Sequence, residues 1–561
     1  MAEMKSSSTS PFDAKYVVMA AAFLAIIVVV VYPTSLLLMQ SLLFEGGFSL
    51  QNYMRAFLRE GILDVLYNSL WLSLVVTLLS VAIGTPLAWL ISRTDIGMKN
   101  YLRTLFMMPF TIPPFVGAMA WIRLFGPAGL ANQLLSYLTG SEQEIFNVYS
   151  PGGVVAVMAI HSYPFIFINV VGALERMDPT LEESARIAGA GVFKTMRTIT
   201  VPLVLPSIIA GGILVFIATI ENFGIPAMLG MRARFLVLST TIYRLLQVPD
   251  IPSATALSTL LMAITILALF AQRWLLGRRR YTVISGKAIR PRIAHLGSWK
   301  PLLTIIAWLF IFLVSILPLF AVFLTASTKY VGAPLVPESF TPKYFHYILF
   351  EFPVTQRAIM NSLFLAVSAA TIAVFLGSVI SYMKVKAKIR GSGIVDAVGT
   401  IPYAIPGIVV AVAMILAWSV GPIVLYGTIW IILMAYVMRY LPSALRSTNA
   451  TLHQIDDSLE EAARTSGASW LNAFKDIVLP LSRPGMFAGW ILVFMPAFRE
   501  LTISALLWSS GTETVGAATF ELQDAGYKEI AAALACIVLA VTVVGDNLVW
   551  KVRGQVESTP S

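Results

Sequence analysis

Long uncharged runs of apolar residues, separated by short polar segments, occupy most of the chain. They fall at 16–44, 65–92, 104–122, 145–174, 198–220, 251–272, 301–328, 358–383, 397–438, 484–498 and 531–545. Crossing about 30 Å of hydrocarbon takes roughly 20 apolar residues in a helix, because only a helix keeps its own backbone hydrogen bonds where water is absent. Each run is therefore a candidate membrane-spanning helix. Residues 397–438 are long enough for two, with Gly421-Pro422 as the turn between them, which brings the count to twelve. The shortest runs, 484–498 and 531–545, reach full length only by taking in flanking charged residues. The pattern predicts an all-α integral membrane protein.

Composition agrees, since 58% of the 561 residues are hydrophobic and 12% charged, more apolar surface than a soluble fold can bury. A net charge of +10 raises nucleic acid as a partner, but the basic residues cluster in alternate loops. Arg93, Lys99 and Arg103 form one cluster, and Arg176, Arg186, Lys194 and Arg197 the next. Further clusters lie at 278–292, at 384–390, and at Arg464, Lys475 and Arg483. By the positive-inside rule these loops are cytoplasmic, and so are both termini. The partner this implies is membrane lipid, not nucleic acid. Cys536 is the only cysteine, so no internal disulfide forms. The first run is too long for the apolar region of a signal peptide and is expected to be a retained span.

The spans fall into two copies of a six-span unit. Asn68-Ser69-Leu70 is matched by Asn361-Ser362-Leu363, 293 positions later, and the same offset carries Pro109 onto Pro402 and Pro113 onto Pro406. Beyond these prolines the offset falls to 278, aligning Pro164 with Pro442, Asp178 with Asp456 and Ala210-Gly211 with Ala488-Gly489. The difference of 15 is an insertion in the first copy around 126–150, on the predicted outer face. An even number of spans per copy returns the chain to its starting side, so the repeats are parallel. The expected organisation is a first half at 1–280, a cytoplasmic linker at 281–300 and a second half at 301–561.

Each half carries the same cytoplasmic loop, at 178–206 and 456–484. Glu461-Ala462-Ala463 is followed by Gly467 and then by Ile477-Val478-Leu479-Pro480; 278 positions earlier stand Glu183-Ser184-Ala185, Gly189 and Ile199-Thr200-Val201-Pro202. Thr180 and Ser458 precede the glutamates by three residues, the spacing of a capping box in which hydroxyl and carboxylate each satisfy an amide at the helix start. The glycines stand where a short helix ends in a left-handed turn. Arg186 and Arg464 follow the glutamates by three residues, on the same helical face. The predicted loop is a capped helix, a bend at glycine and a second amphipathic helix along the cytoplasmic face, with Pro202 and Pro480 marking re-entry into the membrane. The glutamates are read either as caps or as part of a docking surface. The small residues Ala185, Ala462 and Ala463 leave room for another protein to approach.

This paired loop resembles the EAA loop of the membrane subunits of binding-protein-dependent ABC importers. The first copy departs from the family pattern with Ser184 for the middle alanine and Val201 before the proline. The resemblance implies the type I importer permease fold, twelve transmembrane helices in two parallel six-helix repeats with the solute pathway at the pseudo-two-fold axis. It implies that Glu183, Ala185, Arg186, Gly189, Glu461, Ala462, Ala463, Arg464 and Gly467 couple the spans to two copies of a cytoplasmic ABC ATPase. It further implies an extracytoplasmic solute-binding protein that delivers cargo, and the bacterial inner membrane as location. Arg499-Glu500-Leu501, Leu506-Leu507-Trp508 and Gly511-Thr512-Glu513-Thr514 make the chain most similar to ferric-iron permeases, whose layout thiamine, phosphonate, polyamine and sulfate permeases share.

The sequence contains no Gly-x4-Gly-Lys-Ser/Thr loop, so ATP is expected on the partner ATPase, with no cofactor or metal on this chain. Nor does it contain a Cys/His ligand cluster or a nucleophile elbow, which disfavours an enzyme. Ionisable residues inside a membrane cost roughly 2.5–3.5 kcal/mol at mid-bilayer and are candidates for a solute path. Glu221 and Asn222 close the fifth span, and Arg499 and Glu500 the eleventh. Repeat symmetry sets Glu221 opposite Arg499, where they pair across the halves or else sit in water at helix ends. His161, in the fourth span, reads as a packing residue. Pro113 and Pro406 bend the third span of each half, either bordering the pathway or serving packing alone. An ion-driven carrier with six plus six spans is the rival reading, and it has no need of the paired cytoplasmic loops.

Overall fold

The structure is a computed structural model describing residues 14–140, 143–178, 180–277, 293–334 and 336–557. The basic residues 278–292, most of the expected linker, lie outside the described residues. Among those described, ten helices are long and apolar enough to cross a membrane. These are α1 (Tyr16–Leu42), α2 (Ile62–Arg93), α4 (Pro151–Arg176), α5 (Phe193–Ile220), α6 (Ile251–Leu276), α7 (Gly297–Ser327), α8 (Pro353–Val385), α10 (Ile429–His453), α11 (Phe474–Phe498) and α12 (Lys528–Gly545). The third span of each repeat is a bent pair, α3 (Lys99–Thr111 with Pro114–Thr139) and α9 (Ser392–Ala404 with Gly407–Trp418), turning through 97° and 113°. Twelve spans result when each bent pair counts as one. The breaks fall at Pro113 and Pro406, both in extended backbone with ψ of 138° and 145°.

Proline shapes the unbroken spans as well. Within the spans, wide π-type turns occur at Ile27–Val31, Met196–Thr200, Phe312–Ile316 and Phe474–Val478, and each ends two residues before a proline: Pro33, Pro202, Pro318 and Pro480. A proline ring clashes with the carbonyl four residues back and offers that carbonyl no N–H. Widening one turn relieves the clash, and the N–H of Val201 bonds Met196 O while that of Leu479 bonds Phe474 O.

Packing divides the chain into two compact units whose borders differ from those of the sequence repeats. One comprises residues 1–40, 357–515 and 543–561; the other, 41–356 and 516–542. In the second of these, α7, the opening span of the later repeat, packs among helices of the earlier one, with the Phe310 ring 6.1 Å from Phe106 and 5.6 Å from Tyr163. In the other unit α1 packs with helices of the later repeat, Tyr32 meeting Trp418 edge-on at 5.5 Å. The opening spans are thus exchanged between repeats.

Within each unit the fourth span of the repeat is the centre. The most apolar stretch is 67% buried in α4 and 61% in α10, against 22% in α1. Lipid tails are as apolar as the side chains, so close crossings depend on small residues. A Cβ on Gly84 of α2 would stand 2.8 Å from Tyr163 O on α4, and one on Gly377 of α8 would stand 3.2 Å from backbone atoms of Ala444 and Leu445 on α10. The repeated Asn-Ser pairs also have structural duties. Asn68 donates to Leu236 O at 3.2 Å and Ser69 accepts from the Leu238 N–H at 2.8 Å; Asn361 donates to Glu513 O at 3.0 Å and Ser362 accepts from the Val515 N–H at 2.8 Å. Each pair ties the segment after the fifth span of a repeat to its second span.

Candidate functional site: two anchored loop helices

The two loops fold alike. The first contains the helix Thr180–Ile187 and the second Asp457–Thr465. The Asp178 carboxylate accepts the Thr180 N–H at 2.9 Å, and Asp456 accepts the Ser458 N–H at 2.8 Å. These bonds to backbone N–H groups hold both carboxyls below the usual carboxylate range. The expected capping box is therefore corrected: the cap is an aspartate, and Ser458 lies inside the helix. A carboxylate outcompetes a hydroxyl here because it also answers the positive end of the helix dipole. Gly189 and Gly467 end the helices at φ +82° and +93°. Past them the Ala190 N–H reaches back to Ala185 O at 2.9 Å and the Ala468 N–H to Ala463 O at 3.0 Å, the closure of a helix ending in a left-handed residue. The expected second amphipathic helix is also corrected. Soon after each glycine the chain is already in α5 or α11, with the wide turn letting the helix run on through Pro202 and Pro480.

Each loop helix is tied to its unit by charges that sequence reading counted only as topology signals. Arg93, the last residue of α2, is 3% exposed. Its Nη2 donates to Leu174 O at 3.0 Å, and its Nε lies 3.5 Å from Glu182 Oε2. The other oxygen of Glu182 accepts the Thr200 hydroxyl at 2.6 Å. Lys386 stands 293 positions after Arg93, and its side chain is 3% exposed. It donates to Ile455 O and, at 2.7 Å, to Asp457, which takes Lys388 at 3.1 Å as well. These two lysines hold the Asp457 carboxyl below its ordinary range. Tyr382 on α8 donates to Glu460 at 2.8 Å. The repeat offsets, applied to the charged residues, would have singled out Arg93 with Lys386 and Glu182 with Glu460.

What remains outward is a surface with apolar content. Leu181 and Leu459, at matching repeat positions, are each 45% exposed. Ser184, Gly189, Glu461, Ala462, Arg464 and Gly467 are exposed, while Glu183, Ala185 and Ala463 are half-buried. The side chain of Arg186 lies outside the described residues.

Residues 84–281 and 369–550, which include both loops, match the family described as binding-protein-dependent transport system inner membrane component. The chain belongs to this family. The permease is 29% identical over 512 residues to the putative ferric transport system permease protein FbpB 1 of Haemophilus influenzae, an alignment covering 89% of this chain and 79% of that relative. It is 27% identical over 558 residues to the ferric transport system permease protein FbpB of Actinobacillus pleuropneumoniae, covering 96% and 80%. Among solved structures it resembles a bacterial ABC transporter involved in the import of the acidic polysaccharide alginate, at 22% identity and a TM-score of 0.40, over 48% of this chain and 96% of that one. The double match identifies a fused, multi-pass inner-membrane permease with the type I fold.

In the permease the polar residues at the far ends of α5 and α11 hold backbone. Asn222 accepts the Ile225 N–H at 3.1 Å. Glu500, only 9% exposed, accepts the N–H groups of Ile503 at 2.9 Å and Ser504 at 3.0 Å. Glu221 and Arg499 are half-buried at the C-termini of α5 and α11, in different compact units. The break in α9 recruits a cation that sequence reading passed over: Arg439, within α10, donates to Ile405 O at 2.7 Å, the carbonyl just before Pro406. Arg439 also acts electrostatically on Glu500. Broken helix, half-buried cation and buried capping carboxylate thus form one polar group.

Proposed function

We propose that this permease imports ferric iron, driven by two copies of a cytoplasmic ABC ATPase that dock on the helices Thr180–Ile187 and Asp457–Thr465. The observation that carries the docking is the matched pair of loop helices, each fastened to its span by a buried cation and each presenting an exposed leucine at the same repeat position. A helix offering an apolar face to a groove is a standard recognition mode. Glu183, Ala185, Arg186, Gly189, Glu461, Ala462, Ala463, Arg464 and Gly467 belong to this surface or fix its ends, and both termini share its cytoplasmic side. The iron assignment is supported by the names of the relatives aligned along most of the chain. A solute-binding protein would load the opposite face. The solute path would be bordered by the breaks at Pro113 and Pro406 and by the polar helix ends at Glu221, Asn222, Arg499 and Glu500.

Bulk added to the exposed loop face tests the docking. Ala462→Trp, with Leu459→Glu as a second variant, should abolish co-purification of the ATPase while the permease itself stays folded in detergent. Retention of the ATPase by both variants would overturn the assignment of this surface.

A further inference from the structure

A cavity of about 240 Å³ lies within the unit formed by residues 41–356 and 516–542, and the charged side chains lining it are all cationic: Arg123, Arg232 and Lys528. Tyr149 and Gln523 add polar atoms to its wall. Connectivity fixes its side. Tyr149 precedes α4, Arg232 follows α5 and Lys528 opens α12, whereas the loop at 178–192 joins the other ends of α4 and α5. The cavity therefore sits at the end of the unit opposite the ATPase-docking loop.

Arg123 is the decisive group. It is 3% exposed, and only its Nη1 has a hydrogen-bond acceptor among the described residues, Ala128 O at 3.5 Å; its Nε and Nη2 have none. Buried guanidinium donors without acceptors are costly and rare. The nearby acids do not fill the gap. Glu529 interacts with Arg123 through charge, but its Oε1 is taken by the Val331 N–H at 2.7 Å. Asp524 stands 3.9 Å from Arg232 at an exposed position. Neither carboxylate lines the cavity. Arg232 is held over the wall by Tyr149, its guanidinium 5.6 Å from the ring centroid and donating to the hydroxyl at 3.3 Å.

We propose that this cavity is a binding site for a phosphate-type oxyanion. A planar guanidinium with two donor nitrogens available and a half-buried ammonium at the rim form a complement for a tetrahedral group with several oxygens. The volume exceeds the roughly 30 Å³ share of one water molecule several times over, so a polyatomic anion fits. Free phosphate and the headgroup of an anionic phospholipid present the same chemistry, and the two sources are separable.

The whole chain, purified in a maltoside detergent free of phosphate, is titrated with inorganic phosphate by calorimetry. In a second arm it is exposed to phosphatidylglycerol, and retained lipid is counted by native mass spectrometry. Arg123→Gln and Lys528→Gln are compared with wild type, the second at a half-buried rim residue, with an unfolding curve run on each variant to check that it folds. Saturable phosphate binding that is roughly 10- to 100-fold weaker in the variants and weakens with added salt supports a site for a free anion. Lipid retention lost in the variants supports a headgroup site. If neither ligand distinguishes wild type from Lys528→Gln, or phosphate binds all three alike, the proposal is overturned. The test uses the permease alone, so its outcome is independent of the ATPase docking and of the cargo.

Discussion

Replacing Glu182 by glutamine removes the carboxylate that faces Arg93 while keeping shape and an acceptor for Thr200. The guanidinium is 3% exposed and Glu182 is 13% exposed, so the pair is largely withdrawn from water. Removing one partner of a buried ion pair costs about 3–5 kcal/mol, because the other charge stays buried without compensation. The 3.5 Å separation and the surviving Thr200 bond place this pair at the low end, so the loop helix should lose about 3 kcal/mol of anchoring, roughly 150-fold in its detached population. Trypsin reads that population directly, since Arg186 stands within the helix Thr180–Ile187 and cleavage tracks the open fraction when reclosing is fast. Glu182→Gln should be cut in this loop about 100-fold faster than wild type, with global unfolding little changed. Glu183→Gln, one residue on, should be cut at the wild-type rate. A wild-type rate for Glu182→Gln, or equal acceleration in both, would refute the claim that Arg93 and Glu182 fasten the loop.

Three further outcomes follow from the same geometry. Arg439→Met should destabilise the permease by about 1–3 kcal/mol by leaving the Ile405 carbonyl without this donor, and the double variant with Glu500→Gln should be less destabilised than the sum of the singles; strict additivity in thermal melts would show that the two do not act together. Gly84→Ala should lower the melting temperature more than Gly377→Ala, because the added Cβ meets its neighbour at 2.8 Å in one case and 3.2 Å in the other; the reverse order would contradict the crossings described. The carboxyls of Asp456 and Asp457 have folded-state values below the unfolded one, so their contribution to the second loop is complete above the unfolded value, near 3.9 for aspartate, and is lost as pH falls through the folded value. An environment-sensitive fluorophore on Leu459→Cys, in a Cys536→Ser background, should therefore report a constant loop between about pH 5 and 8 and a released one only in stronger acid; release near neutrality would argue against these anchors.

Much of this was legible in the sequence because the bilayer imposes a length and a polarity on every span. The breaks at Pro113 and Pro406 and the left-handed ends at Gly189 and Gly467 were legible too, since proline and glycine act locally. The exchange of α1 and α7 was not, because hydropathy marks a helix as apolar without saying which apolar neighbour it meets. The helix caps were misassigned to Thr180 and Ser458, where a neighbouring aspartate competes for the same amide and wins by charge. Arg93 and Lys386 were hidden by being counted with exposed loop charges, as burial leaves no mark on a charge tally. Arg439 escaped because it stands one residue beyond the uncharged run 397–438, where a reading by runs stops. Asn222 and Glu500 were named as pathway candidates, but their task of holding backbone N–H groups was not legible, because a sequence shows a polar side chain without the amide it meets.

The most direct test of the account is ATP-dependent uptake of ferric iron into proteoliposomes holding the permease, its co-purified ATPase and its solute-binding protein. Uptake should require all three components and ATP, and should be lost when Glu461→Ala is combined with Gly467→Val in a permease that still folds. Uptake by the permease alone, driven by an ion gradient and indifferent to those substitutions, would contradict it.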